Sequence, residues 1–115
     1  FLINDLSLKY KKFLVSGAIS KFDGHVFTFN FKNKREPCLR CFYQEETISD
    51  DILNCEYEGI LGTVASTIGT IQANEILKEI LDIGQNLNGS ILIIDLLNLN
   101  FRKVKLNKKN KCICN

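Results

Sequence analysis

The chain has 115 residues, 45% of them apolar and 24% charged, with a formal net charge of +2. This is one soluble globular domain or a piece of one, and the near-neutral charge gives no electrostatic reason to expect nucleic-acid binding. No apolar run reaches transmembrane length and Phe1-Leu2-Ile3 is too short for a signal-peptide core, so the expectation is a cytoplasmic protein without a membrane partner.

Residues 2–12 read as the end of an amphipathic helix, with Leu2, Leu6 and Lys9-Tyr10 at helical spacing and lysines gathered at its C-terminal end. Phe13-Leu14-Val15 follows as a short buried strand. Ala18 to Phe22 and His25 to Phe31 are expected to form a hairpin turning at Asp23-Gly24, where positive φ is wanted. Phe27, Phe29 and Phe31 alternate onto one face of its second strand, with Thr28 and Asn30 on the other. After Pro37, Cys38-Leu39-Arg40-Cys41 reads as a tight knuckle. Residues 43–58 hold six acids (Glu45, Glu46, Asp50, Asp51, Glu56 and Glu58) and read as a mobile loop of functional length.

Ile60 to Ile83 is the one long helix, ended by Gly84 as its C-cap. Gly62, Ser66, Gly69 and Ala73 line a small-residue stripe along it. Two glycines inside a helix cost about 1 kcal/mol each relative to alanine, so the stripe predicts close approach of another backbone. Thr63, Thr67, Thr70, Asn74 and Lys78 line a polar flank. Ile91 to Ile94 is a buried strand, and Leu99 to Leu106 a second one, with a bulge expected near Arg102-Lys103. Asp95 at the end of the first of these is a turn residue in the ordinary reading.

Five cysteines without a secretory signal point to metal or catalysis more than to disulfides. Cys38-x-x-Cys41 lets two thiolates face one ion, and zinc wants four such ligands in a tetrahedron. Cys112 and Cys114 in the tail would supply the remaining pair and staple the tail to the knuckle. Cys-x-Cys is tighter than the usual second pair, which leaves tail cysteines without a partner as the alternative to zinc. A redox Cys38/Cys41 pair is a third. Cys55 stands apart, close to the start of the long helix. The helix dipole would favour its thiolate and Glu56 and Glu58 would oppose it, which leaves an ordinary loop cysteine equally open.

His25, the single histidine, reads as a surface residue rather than a ligand. Six basic residues between Arg102 and Lys111 could touch phosphate or an acidic partner, but a solvated strand and tail explains them more simply. No Gly-x-Gly-x-x-Gly or P-loop occurs.

In order along the chain stand Leu2-Ile3-Asn4-Asp5, Leu14-Val15-Ser16-Gly17-Ala18, Pro37-Cys38-Leu39-Arg40-Cys41, Cys55 through Gly59-Ile60-Leu61-Gly62, Gly69-Thr70-Ile71-Gln72-Ala73-Asn74-Glu75 and the terminal cysteines. This ordered set resembles the C-terminal half of the ThiF/MoeB/HesA enzymes, relatives of the ubiquitin-activating enzymes, over essentially the whole chain. The resemblance implies an α/β fold, the C-terminal part of a mixed sheet with a β-hairpin, one long helix and a cysteine zinc knot, assembled as a homodimer. It implies an ATP- and Mg2+-dependent adenylyltransferase that activates the C-terminal glycine of a ubiquitin-like sulfur carrier for thiamine or molybdopterin synthesis. It implies Cys38, Cys41, Cys112 and Cys114 as structural Zn2+ ligands and Cys55 as the sulfur-relay or thioester cysteine. The family's nucleotide-binding half lies upstream of Leu2-Ile3-Asn4-Asp5. With the missing methionine, this gives the expectation of a processed or partial chain, residues 1–115 being the C-terminal half and inactive alone. The alternative expectation is a non-catalytic zinc-stapled module that docks a ubiquitin-like protein.

Overall fold

The computed structural model describes residues 1–32, 36–42 and 62–113. In chain order they form α1 (Leu2–Lys9), β1 (Phe13–Ile19), β2 (Asp23–Asn30), α2 (Leu39–Phe42), α3 (Gly62–Leu81), β3 (Ser90–Asp95) and β4 (Asn100–Lys105). The strands make one four-stranded sheet in the order β1-β2-β3-β4. Every neighbouring pair is antiparallel, where the resemblance implied a mixed sheet.

The pleat sends alternate side chains to opposite faces. On one face Phe27, Phe29, Phe31 and Ile91 pack with Cys38 and Cys41. The three phenylalanines stack, Phe27 on Phe29 at 5.8 Å and Phe29 on Phe31 at 6.0 Å between ring centroids. On the other face Val26 and Ile94 pack with Val64 and Ile68 of α3 and with Leu87. The sheet is therefore a middle layer, with α3 on one side and the cysteine knuckle on the other.

Several local expectations shift. Phe13 to Ile19 is one continuous strand, and the hairpin turns at residues 20–22, where the Ser20 N–H donates to the Asp23 carbonyl at 2.8 Å. Asp23 and Gly24 belong to β2 because they also pair with Asp95 and Ile94 of β3. Gly24 is needed for space: a Cβ there would lie 2.8 Å from the Ala18 carbonyl oxygen and 2.8 Å from Ile68 Cγ1. At Gly17 an added Cβ would meet only the far end of the Gln72 side chain, at 2.6 Å, which can turn aside. Close approach of α3 thus rests on Gly24 in the sheet. Among the described residues, nothing lies within 4 Å of a Cβ added at Gly62 or Gly69 in the helix.

The α3 helix ends on Asp82 rather than Gly84. Asp82 takes φ 53°, and the Ile83 N–H donates to the Lys78 carbonyl at 3.1 Å, the six-to-one bond of a Schellman end. α1 ends the same way, with Lys11 at φ 52° and the Lys12 N–H on the Ser7 carbonyl at 2.8 Å. Glu75 is 4% exposed under α3, accepts the Leu87 N–H at 3.0 Å and pairs with Lys78 at 2.6 Å. That pair, with the Thr28 hydroxyl donating to the Asn88 side chain at 2.9 Å, fixes the passage from α3 into β3.

β4 pairs with β3 residue for residue from Asn100↔Asp95 to Lys105↔Ser90, so no bulge forms at Arg102-Lys103. Its slipped apolar alternation reflects an exposed strand over which the described residues place no second layer. Asp95 closes the β3–β4 turn: its carboxylate accepts the Leu97 N–H at 3.0 Å and the Asn98 side-chain amide at 2.9 Å. No helix among the described residues is long and apolar enough to cross a membrane.

Candidate metal centre

Cys38 ends the approach to α2, Cys41 lies inside it, and Cys112 comes back from the tail beyond β4. A four-residue helix cannot hold itself in water, so its position comes from neighbours. The Cys41 N–H donates to the Cys38 carbonyl at 3.0 Å, turning both side chains the same way. The three sulfurs lie within 4.8 Å of one another, and Cys38 Sγ is 3.5 Å from Cys112 Sγ. Cys38 and Cys41 are buried and Cys112 is half-buried. All three are thiols, and 3.5 Å is far beyond an S–S bond of about 2.05 Å.

Around a tetrahedral zinc with Zn–S bonds of about 2.3 Å, the sulfurs stand about 3.8 Å apart. One pair of thiols stands close to that spacing, at 3.5 Å, and all three lie within 4.8 Å of one another, so the donor set fits a soft ion such as zinc. Cys114, the expected fourth ligand, and Cys55, the expected sulfur-handling cysteine, lie outside the described residues.

The knuckle is clamped by α1 through a pair of residues that drew attention only as part of a family motif. Asn4 is 1% exposed, and its carboxamide oxygen accepts the Leu39 N–H at 3.0 Å, satisfying an otherwise orphaned donor at the start of α2. Asp5 accepts two parallel bonds from Arg40, both 2.8 Å, in a bidentate fork. The Arg40 hydrogen bond, with a smaller contribution from Asn4, lowers the Asp5 pKa to about 2. The Arg40 guanidinium also lies 4.5 Å from the Phe1 ring centroid. The Asn4-Asp5/Leu39-Arg40 spacing carries no metal signature, so the sequence alone offered no reason to pair them.

His25 is apart from the thiols. It is half-buried, meets Phe27 edge-on at 5.0 Å, and burial pushes its pKa down while Asp23 opposes that shift.

The ThiF family profile matches residues 1–115. The chain belongs to the ThiF family. This ThiF-family chain is 37% identical over 109 residues to the adenylyltransferase and sulfurtransferase MOCS3 of Drosophila virilis, covering 95% of the chain and 24% of that protein. It is 33% identical over 115 residues to the sulfur carrier protein adenylyltransferase of Thermus thermophilus, covering 97% of the chain and 42% of that protein. The chain thus spans less than half the length of these curated relatives. Among solved structures, E. coli MccB with ATP superposes over 98% of the chain and 34% of its own, with a TM-score of 0.75 at 11% identity. The heterocyclase TruD superposes over 98% of the chain and 20% of its own, with a TM-score of 0.71 at 15% identity. At those identities the likeness is one of fold.

Proposed function

We propose that this chain forms the C-terminal half of a sulfur-carrier adenylyltransferase, the part that holds a structural zinc and handles sulfur. In the whole enzyme, ATP and Mg2+ would adenylate the C-terminal glycine of a ubiquitin-like sulfur carrier serving thiamine or molybdopterin synthesis. The observation that carries the reading is identity of 33–37% over nearly the entire chain to proteins named for that activity. These 115 residues contain no glycine-rich nucleotide loop of the Gly-x-Gly-x-x-Gly or P-loop kind. The product of the complete gene should catalyse carrier-dependent ATP–pyrophosphate exchange, and residues 1–115 alone should not. Absence of exchange from the complete product, with carrier present, would overturn the assignment.

Zinc would be held by Cys38, Cys41, Cys112 and Cys114, the first three supported by their spacing in space. Bound there, zinc supplies folding energy and no reaction step. The chain's own contribution is to present the thiols: Asn4 and Asp5 hold α2 in place, and the tail returns Cys112 to it. Metal analysis should give about one zinc per chain, lost in Cys38→Ser, and a folded chain that takes up no zinc would refute the site. Cys55 is proposed as the sulfur-relay cysteine. Cys55→Ala in the complete enzyme should leave ATP–pyrophosphate exchange unchanged and slow sulfur transfer to the carrier.

The expected homodimer has support in the outward face of α3. Gly62, Ser66, Gly69, Ala73, Ile76, Leu77 and Ile80 fall on one helical stripe opposite the buried Val64, Ile68 and Glu75. Ile76, Leu77 and Ile80 are 43%, 54% and 71% exposed. An uncharged stripe of this kind is costly to leave in water.

A further inference from the structure

We infer that Cys38 and Cys112 form a modification site: in the metal-free chain a hydroperoxide converts them into a disulfide that fastens the tail to the knuckle in place of the metal. When no ion holds the thiol cluster, its sulfurs are open to an oxidant. The disulfide shares the cysteines of the proposed zinc site but does not require that site to be correct.

Three observations carry it. Cys112 is the most exposed of the three thiols, whereas Cys38 is wholly buried and Cys41 is 5% exposed. A small oxidant in solvent therefore meets Cys112 first. Second, Cys38 Sγ already touches Cys112 Sγ at 3.5 Å, so closing to bonding distance needs only about 1.5 Å of side-chain movement. Third, Cys38 and Cys112 are 74 residues apart, and a link between them retains the tail at α2. A Cys38–Cys41 link would close only the knuckle and leave the tail unattached.

The chemistry balances in two steps. The Cys112 thiolate attacks one oxygen of hydrogen peroxide and the O–O bond breaks. Cys112 becomes a sulfenic acid, and the departing hydroxide takes a proton to give water. The Cys38 thiolate then attacks the Cys112 sulfur and the S–OH bond breaks, releasing a second hydroxide that is protonated to water. Two thiols lose two electrons together, and one peroxide gains them. Cys41 keeps its thiol.

The sequence makes the outcome readable. Trypsin cleaves after Arg35, Arg40 and Lys111, which puts Cys38 in peptide 36–40, separates it from Cys41, and puts Cys112 in peptide 112–115. The chain, stripped of metal with a chelator, is treated with one equivalent of hydrogen peroxide, alkylated, digested without reduction and read by mass spectrometry. The expected product is 36–40 joined to 112–115 with the loss of two hydrogens, and with Cys41 alkylated. Fragmentation should assign the bond to Cys112, and Cys114→Ser should retain it. Cys41→Ser should also retain it, while Cys38→Ser should leave a Cys112 sulfenic acid that dimedone captures. A dominant link from Cys38 to Cys41, or from Cys112 to Cys114, would overturn the inference. Saturating zinc before peroxide should slow cross-linking at least tenfold. If zinc gives no protection but the cross-link still forms, the zinc site fails and the disulfide stands.

Discussion

The two faces of the sheet are held by different physics. On the α3 side Val64, Ile68 and Leu87 press into Val26 and Ile94, and Gly24 lets the helix settle close. Stabilisation there is spread over many dispersion contacts and is indifferent to ions. On the other side the stacked phenylalanines form a floor, but α2 above it is four residues long and depends on a few directed links. Those links are Asn4 to Leu39, Asp5 to Arg40, and the meeting of Cys38, Cys41 and Cys112. A long helix can be placed by shape alone, whereas a short knuckle needs named bonds, and such bonds answer to metal, acid and oxidant.

The largest test of this contrast is Ile68→Ala. Truncating a fully packed isoleucine should cost about 2–5 kcal/mol in urea unfolding, and by the same amount with or without chelator. A cost under about 1 kcal/mol, or one that changes in chelator, would erase the distinction between the faces. Next, Asn4→Ala strips the Leu39 N–H of its acceptor and should cost about 1–3 kcal/mol. Hydrogen exchange should accelerate in α2 and not in α3; uniform acceleration would deny the local clamp.

A smaller effect is expected from Asp5. Its pKa is lowered to about 2, so the charged form is the one favoured by folding. The stability it adds is fully present above the ordinary carboxylate range and is lost as pH falls through about 2. Because the pair is partly exposed, the gap between wild type and Asp5→Asn should be about 1 kcal/mol or less. That gap should be constant above about pH 5, shrink as pH falls, and vanish only below about pH 2. A gap that widens in acid would show that Arg40 does not set the Asp5 charge. The smallest change concerns α3's outer stripe. Gly69→Ala meets none of the described residues and should stabilise the isolated chain by up to about 1 kcal/mol. If the stripe is a dimer face, the same substitution should weaken self-association in analytical ultracentrifugation. Destabilisation of the isolated chain would mean that something in it already covers Gly69.

The sequence places much of this correctly. The phenylalanine alternation on β2, the knuckle after Pro37, the strand at Ile91–Ile94, the turn role of Asp95 and the meeting of Cys112 with Cys38 and Cys41 are all in the structure. It misplaces the hairpin turn, because Asp-Gly is a strong local turn signal. The pairing of Asp23 with Asp95 and the pressure of Ile68 on Gly24 are long-range facts. It ends α3 on Gly84 because glycine is the commonest left-handed cap, whereas here Asp82 takes that conformation.

Composition, periodicity and cysteine spacing by themselves determined the element types and the set of thiols to watch, and the resemblance of the ordered motifs pointed to the family. These are local or one-dimensional properties, and a chain displays them before it folds. Only the tertiary structure decided which glycines permit close packing, that α3's small-residue stripe faces outward, and that Asn4 and Asp5 hold the knuckle. Each of those depends on which residues from distant parts of the chain meet across the sheet, and contact at that range leaves no periodic trace in the sequence.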